Sequence, residues 1–258
     1  MPFFRRSSLL VLGAAVLAGG SGCLSSDTTG TTTPTPVASL RIIQVMGDAG
    51  NGVDFSVGGI TAYTGVPFGI LVPTTGQYAA APAAAQFAFN ATRVTTPFYT
   101  GQSTQLLANG YYTIIAYGRV TTGVTPSGTA AVLSDTTVNF LAASPNNVLL
   151  RAFDAIDYVT PGSGTAADVY VYPQGQTRPA TPTFAAVGYG TRSPYATVAA
   201  GPLQIDVLTA GAASTAVPLF STTLASTGGM VRTLILSDPA PAATTGSAGS
   251  VVIVADQQ

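Results

Sequence analysis

Hydrophobic side chains in this chain recur at every second residue, which is the period of a β-strand. In the segment 165–175, Val169 and Val171 alternate with Tyr170 and Tyr172, and a Pro/Gly turn follows. Successive side chains of a strand point to opposite faces, so this pattern predicts a strand with valines on one face and tyrosines on the other.

The same alternation predicts strands along most of the chain after residue 39. Turn signals such as Gly58-Gly59 and Asn109-Gly110 separate them about every ten residues, a rhythm typical of a β-sandwich. The further predicted strands are 40–45, 53–57, 84–94, 111–120, 130–133, 148–153, 203–207, 230–236 and 251–254. The residues predicted to share a face are Leu40 with Ile42, Ile43 with Val45, Phe87 with Phe89, and Tyr112 with Ile114 and Ala116.

The pattern also repeats on a longer scale. The segment 51–59 is a diverged copy of 165–175, and Leu150-Arg151 repeats Leu40-Arg41 after 110 residues. That period is a normal size for one sandwich domain. We therefore predict two tandem β-sandwich domains, at 39–143 and 146–258, with the boundary at the turn-forming segment 144–147.

The N-terminal segment predicts export. Two arginines precede an apolar run at 9–18, which is too short to span a bilayer but suits the core of a signal peptide. The small residues that follow end at Cys23, and this arrangement resembles the lipobox of bacterial lipoproteins, in which the peptide is cut before a cysteine that becomes acylated. We predict a signal peptide at 1–22 and lipidation at Cys23. The alternative is an ordinary secreted protein cut after Ala18-Gly19-Gly20.

Residues 23–38 predict a flexible tether beyond the lipidated cysteine. The segment is rich in Ser, Thr and Pro and shows no apolar periodicity. Leu24 follows Cys23, whereas an Asp there tends to retain proteobacterial lipoproteins in the inner membrane. We therefore expect a lipid-anchored protein of the cell envelope, at the outer membrane.

Composition excludes several function classes. Charged residues make up 7% of the chain, all nine cations are Arg, all ten acids are Asp, and His, Lys, Glu and Trp are absent. The missing Lys and Glu disfavour long helices, and the lack of a basic cluster argues against nucleic acid as a partner. Without His or Lys, the chain lacks Ser-His-Asp catalysis, nearly all zinc sites and Schiff-base chemistry.

The remaining candidate chemistry is limited. Asp154 and Asp157 are close in sequence, but nothing fixes them as the paired carboxylates that a glycosidase needs. The segment 48–54 carries Asp48, Asn51 and Asp54, which would suit Ca²⁺, but these are also ordinary turn residues, and we favour the turn. We predict no catalytic residue, metal or cofactor.

The tyrosines are the other candidates, as platforms for sugars. On strands, tyrosine is more often a half-buried packing residue, and we favour that interpretation. Those on or beside predicted strands are Tyr111, Tyr112, Tyr117, Tyr170, Tyr172, Tyr189 and Tyr195.

Several of these segments together resemble a bacterial family, domain of unknown function 4397, which often occurs in tandem in exported proteins. The resemblance spans about Ser39 to Asp256 and implies immunoglobulin-like sandwiches with no established activity. The family's His-Ala-Ser-Pro segment is replaced here by 44–47 and 154–157. The segments that carry the resemblance are Leu40-Arg41, Leu150-Arg151, 168–171, 187–190, Tyr195 with Ala200-Gly201, and 232–238.

We therefore expect an all-β chain of two tandem immunoglobulin-like sandwiches after a signal peptide and tether. The favoured function is a non-catalytic envelope lipoprotein that binds an envelope polysaccharide or protein and contacts the membrane through its lipid. The alternatives are a structural spacer or surface-layer component, and a carboxylate-dependent hydrolase.

Overall fold

The computed structural model describes residues 37–73, 78–83, 85–101, 106–121, 126–135, 145–157, 166–240 and 249–256, all within one compact unit, Thr35–Gln258. The predicted signal peptide 1–22, Cys23 and the tether up to residue 36 lie outside these residues. The described residues include no helix that is long and apolar enough to cross a membrane.

Two sheets form the first half of the fold. One has the order β4-β1-β8-β9, with β5 also pairing to β1, and the other has the order β3-β2-β6-β7. The central pair β1 and β8 is parallel, with Leu40 opposite Tyr112. The strands are β1 Val37–Gln44, β2 Val53–Val57, β3 Ile60–Val66, β4 Leu71–Val72, β5 Ala79–Pro82, β6 Phe87–Ala91, β7 Tyr99–Gly101, β8 Tyr111–Tyr117 and β9 Thr129–Ser134.

The second half repeats this arrangement with eight strands. They are β10 Asn147–Ala155, β11 Ala167–Pro173, β12 Phe184–Val187, β13 Ala196–Ala199, β14 Gly201–Thr209, β15 Phe220–Ser226, β16 Val231–Ser237 and β17 Ser250–Ala255. The sheet orders are β13-β10-β16-β17 and β12-β11-β14-β15, and β10 and β16 are again parallel. The all-β fold predicted from sequence is confirmed.

The alternation of side chains divides the apolar residues among three clusters. Leu40 and Ile42 enter the core of the first half, whereas Ile43 lies on the opposite face of β1, in a cluster that both halves share. In the second half, Val169 and Val171 enter a core of their own. The faces predicted from the period of two are confirmed for β1 and β11, as they are for Phe87 with Phe89 and for Tyr112 with Ile114 and Ala116.

The pattern missed several strands, most of them at sheet edges, and one boundary. The strands β3, β5, β7 and β15 are short or expose much of their surface, so they lack the apolar alternation that marks a half-buried strand. The predicted tether reached Ala38, but β1 begins at Val37 because Val37 and Ala38 pair with Pro82 and Ala81 of β5. The predicted domain limits at 143 and 146 stay a prediction.

Candidate functional site

The two halves meet at a buried cluster of charges, which we call the joint. Arg41 on β1 and Arg151 on β10 are 0% and 2% exposed. Each Nε donates a hydrogen bond to a threonine on the neighbouring parallel strand, at 2.8 Å to Thr113 Oγ1 and 2.7 Å to Thr233 Oγ1. The parallel pairs β1·β8 and β10·β16 fix this register, in which Arg41 lies opposite Thr113 and Arg151 opposite Thr233.

Each threonine in turn donates a hydrogen bond to an aspartate that follows the next strand of the sheet. Thr113 Oγ1 donates to Asp135 Oδ2 at 2.6 Å, and Thr233 Oγ1 donates to Asp256 Oδ1 at 2.8 Å. Asp135 follows β9 and Asp256 follows β17, and both are buried. The result is the same Arg–Thr–Asp chain in both halves.

The guanidinium groups then cross between the halves. Arg151 Nη2 donates to Asp135 Oδ1 of the first half at 2.6 Å, and Arg41 Nη2 donates to Asp256 Oδ1 of the second at 3.3 Å. Their Nη1 atoms reach backbone carbonyls in the opposite half, from Arg151 to Ser134 and from Arg41 to Ala255. The contacts are reciprocal, so the joint has approximate two-fold symmetry.

Two tyrosines complete the joint, one beside each arginine. Tyr78 and Tyr195 lie beneath the guanidiniums of Arg41 and Arg151, with 4.7 and 4.8 Å between Cζ and the ring centroid. Each hydroxyl donates to the aspartate of its own half at 2.7 Å, Tyr78 to Asp135 and Tyr195 to Asp256. Burial, reinforced by the nearby carboxylate, raises the pKa of both phenols above their usual range.

The joint is suited to holding the halves together, not to chemistry on a substrate. Burial acts to lower the pKa of Arg151, but Asp256 and Asp135 outweigh it, so the pKa rises and the charge is kept. Buried charges are tolerated when they are paired and hydrogen-bonded, and removing one partner is strongly destabilising. Both carboxylates of the joint are buried and held by Arg, Thr and Tyr, so neither of them faces a cleft.

A second set of polar groups lies on the same interface. Arg119 of the first half makes a two-pronged ion pair with Asp157 of the second, at 2.9 and 3.0 Å. Tyr117 stacks edge-on against Phe153 and Tyr189, each with ring centroids 5.3 Å apart. These contacts again connect opposite halves.

Asp154 differs from the carboxylates of the joint, because one of its oxygens is buried without a hydrogen-bond partner among the described residues. It is 0% exposed, and Oδ1 accepts a hydrogen bond from Ile156 N at 2.9 Å, whereas Oδ2 has no partner among the described residues. Burial raises the pKa of Asp154 to about 7, although the bond from Ile156 opposes the shift. Gln44 takes the equivalent position in the first half. Its Oε1 accepts a hydrogen bond from Met46 N, and its Nε2 donates one to Val66 O at 3.3 Å.

An open cleft of about 460 Å³ lies on the first half, against the outer face of the sheet β3-β2-β6-β7. Asp54 Oδ1 accepts from Gly65 N and Thr92 Oγ1 at its edge. Asn90 Nδ2 donates to the carbonyls of Val94 and Thr95 and so shapes the turn after β6. The polar residues that line the cleft are Asp54, Ser56, Thr61, Asn90, Arg93 and Thr95.

The corresponding face of the second half is covered. Arg178, in the connection between β11 and β12, places its guanidinium 5.6 Å from the ring centroid of Tyr170 and donates to Asp206 Oδ2 at 2.7 Å. Tyr172 and Ser221 also donate to Asp206. Burial acts to raise the pKa of Asp206, but these hydrogen bonds outweigh it, so the pKa falls below its usual value.

The structure places the residues singled out in the sequence as follows. Cys23 lies outside the described residues. Asp48 lies in a turn and accepts hydrogen bonds from Val120 N and Thr121 N, which confirms the turn interpretation for Asp48. Asp168 accepts hydrogen bonds from Ala186 N and Gly211 N, so its carboxylate binds backbone N–H groups.

The tyrosines are packing residues, as predicted, and none of the seven lies exposed on a flat platform. Tyr112, Tyr117 and Tyr170 are buried, and the other four are partly buried. Sequence reasoning missed the joint itself. The available signal was the repeat of Leu-Arg together with an Asp after the last strand of each half, at Asp135 and Asp256.

Comparisons with known proteins add little. No family model matches the chain, and no curated protein matches it either. Among solved structures, the Bacillus anthracis TIE protein matches with a TM-score of 0.24 and 10% identity, over 78% of this chain and 34% of that chain. The chain thus spans about a third of that protein, and at this TM-score the likeness carries no argument.

Proposed function

We propose that this protein is a non-catalytic, lipid-anchored module of the cell envelope that binds an envelope polymer or protein through one rigid two-sandwich body. Cys23 carries the lipid, residues before Val37 form the tether, and the sandwiches form the binding part. The two tandem immunoglobulin-like domains are the duplicated copies that the sequence repeat indicates.

The joint is the observation that carries this proposal. Arg41 and Arg151 each bond groups of both halves, so a change in the angle between the sandwiches would break ion pairs that are buried from water. Removing one partner of such a pair costs about 3–5 kcal/mol, because the other charge is left buried without compensation. A body held this firmly presents surfaces of both sandwiches in a fixed relation, which lowers the ordering cost of binding an extended partner.

The arrangement of the carboxylates disfavours the hydrolase alternative. Asp135 and Asp256 are both buried and form ion pairs with Arg41 and Arg151. Asp157 is held by Arg119, and Asp206 by Arg178. A glycosidase needs two carboxyls that face a substrate.

A spacer or surface-layer role is the second candidate, and the exposed strand β15 favours it. Its outward residues are small, and they are Ser221, Thr223 and Ala225. A surface of this kind offers few of the aromatic or arginine anchors that dominate binding energy.

The deciding experiment is co-sedimentation of the detergent-solubilised full chain with isolated cell-wall and exopolysaccharide fractions of its host. Saturable pelleting with one fraction supports the binding module, and no pelleting with any fraction favours the spacer. Fractionation of cells that express Cys23→Ala tests the anchor, because the variant is expected to leave the membrane fraction.

A further inference from the structure

The two halves differ at the outer face of one sheet. In the second half, the ten-residue connection 174–183 lies between β11 and β12 and brings Arg178 over Tyr170. In the first half, only Gly58-Gly59 connects β2 to β3. Ser56 is the residue of the first half that corresponds to Tyr170. Ser56 lies two residues after Asp54, and Tyr170 lies two residues after the equivalent Asp168. The face that is filled in one half is therefore open in the other.

The open cleft holds polar groups whose hydrogen-bonding capacity is unused. The Arg93 side chain is exposed, and no hydrogen bond or ion pair connects its guanidinium to a described residue. Asp54 uses Oδ1 for Gly65 and Thr92, while Oδ2 receives no hydrogen bond from the described residues. Asn90 uses only its Nδ2 group, which leaves its carbonyl oxygen available.

Arg93 stands at a backbone position that suits glycine better. Its φ is +72°, in the left-handed region, and the turn is closed by a 2.9 Å bond from Val94 N to Ala91 O. A residue with a Cβ costs roughly 1 kcal/mol more than glycine in this conformation. A cation thus stands at the rim of the cleft at some cost to the fold, in a chain with nine cations.

We propose that this cleft binds a carboxylated polysaccharide, a polymer of uronic-acid type, with Arg93 as the group that recognises its carboxylate. The guanidinium is a planar fork that matches a carboxylate with two parallel hydrogen bonds. Asp54 Oδ2 and the Asn90 carbonyl accept hydrogen bonds from sugar hydroxyls. The hydroxyls of Ser56, Thr61 and Thr95 add partners on either side.

The mixture of charges sets the ligand class. The cleft holds one arginine together with the Asp54 carboxylate and so has little net positive charge, which means that a multiply charged phosphate polymer gains less here than a ligand that alternates carboxylates with hydroxyls. A neutral glycan leaves the guanidinium without an anion. This inference rests on the proposed function and specifies its ligand.

The test is a calorimetric titration of polygalacturonate into the detergent-solubilised full chain, with dextran as the neutral polymer. We expect polygalacturonate to bind and dextran not to bind. Arg93→Gly should weaken binding at least tenfold and leave Tm unchanged or higher, because glycine relieves the left-handed backbone. Arg192→Gln is the matched control, since it removes an exposed arginine of the second half, and it should bind normally.

A steric variant tests the location independently. Ser56→Tyr places in the open face the residue that fills the covered one, and it should abolish binding. Equal binding of dextran, unchanged binding by Arg93→Gly or Ser56→Tyr, or no binding of polygalacturonate would each overturn the proposal. If polygalacturonate fails but an envelope fraction still pellets the protein, the proposed function stands and only this site is wrong; if neither binds, both are wrong.

Discussion

Replacing Asp154 with Asn tests whether a buried carboxyl is held neutral in the fold. Oδ2 of Asp154 is buried without a hydrogen-bond partner among the described residues, and Gln44, which is neutral, takes the equivalent position in the first half. Asn has nearly the shape of a protonated Asp. The substitution should therefore preserve packing and remove only the titration.

The size of the effect follows from the shift of the pKa of Asp154 from 3.8 to about 7. Below pH 4 the folded and unfolded states both keep the proton, so Asp154 adds no pH dependence. Between these pKa values only the folded state keeps it, and the free energy of unfolding falls by about 1.4 kcal/mol per pH unit. Above the folded-state pKa the loss is complete, at about 4 kcal/mol as an upper limit.

Chemical denaturation of the wild type and of Asp154→Asn from pH 4 to pH 8 measures this directly. The wild type should lose stability relative to the variant as the pH rises, so that Asp154→Asn is the more stable protein at pH 8. Gln44→Glu is the matched reverse change and should introduce a similar loss in the first half. A stability difference that stays constant over this range would refute the argument that Asp154 is neutral when folded.

Three further substitutions test the joint, the core and the covered face by thermal or chemical denaturation. Arg151→Met leaves Asp135 without its shortest ion pair, so we expect a loss of about 3–5 kcal/mol; a loss below about 1 kcal/mol would contradict the joint as a source of rigidity. Phe55→Ala should cost about 3–5 kcal/mol, because the ring is fully buried against Phe87 and Phe89, and the exposed Ile60→Ala is its control, with little change expected. Arg178→Ala should cost about 1–3 kcal/mol, because Asp206 is 3% exposed and loses a charged donor; an unchanged midpoint would show that the connection 174–183 is held by other contacts.

The central strands could be predicted because burial of their side chains is enough to select their apolar residues. Ile42 and Ile43 face different apolar clusters, so both faces of β1 are buried, and the period of two assigns each residue to its side. The edge strand β3 was missed because solvent covers much of it, and nothing selects apolar residues there.

The joint could not be predicted because its partners are distant in sequence. Arg41 and Asp256 are 215 residues apart, and only the packing of the two halves brings them together. The repeat of Leu-Arg marked two equivalent strands, but it did not indicate that the arginines face each other's half. The cleft could not be predicted either. It arises because the connection between β2 and β3 is short, and neither Ser56 nor Arg93 belongs to a recognisable motif.

The place of β1 in its sheet determines how the protein bears load. The strand begins at Val37, within the last two residues of the predicted tether, and it pairs with β8 on one side and with β4 and β5 on the other. A pull on the chain from its N-terminal side acts along β1, at right angles to its hydrogen bonds. Those bonds are then loaded together in shear instead of being opened one by one as in a zipper. Mechanical force that reaches the sandwiches through residue 37 thus meets the direction in which a sheet resists rupture best.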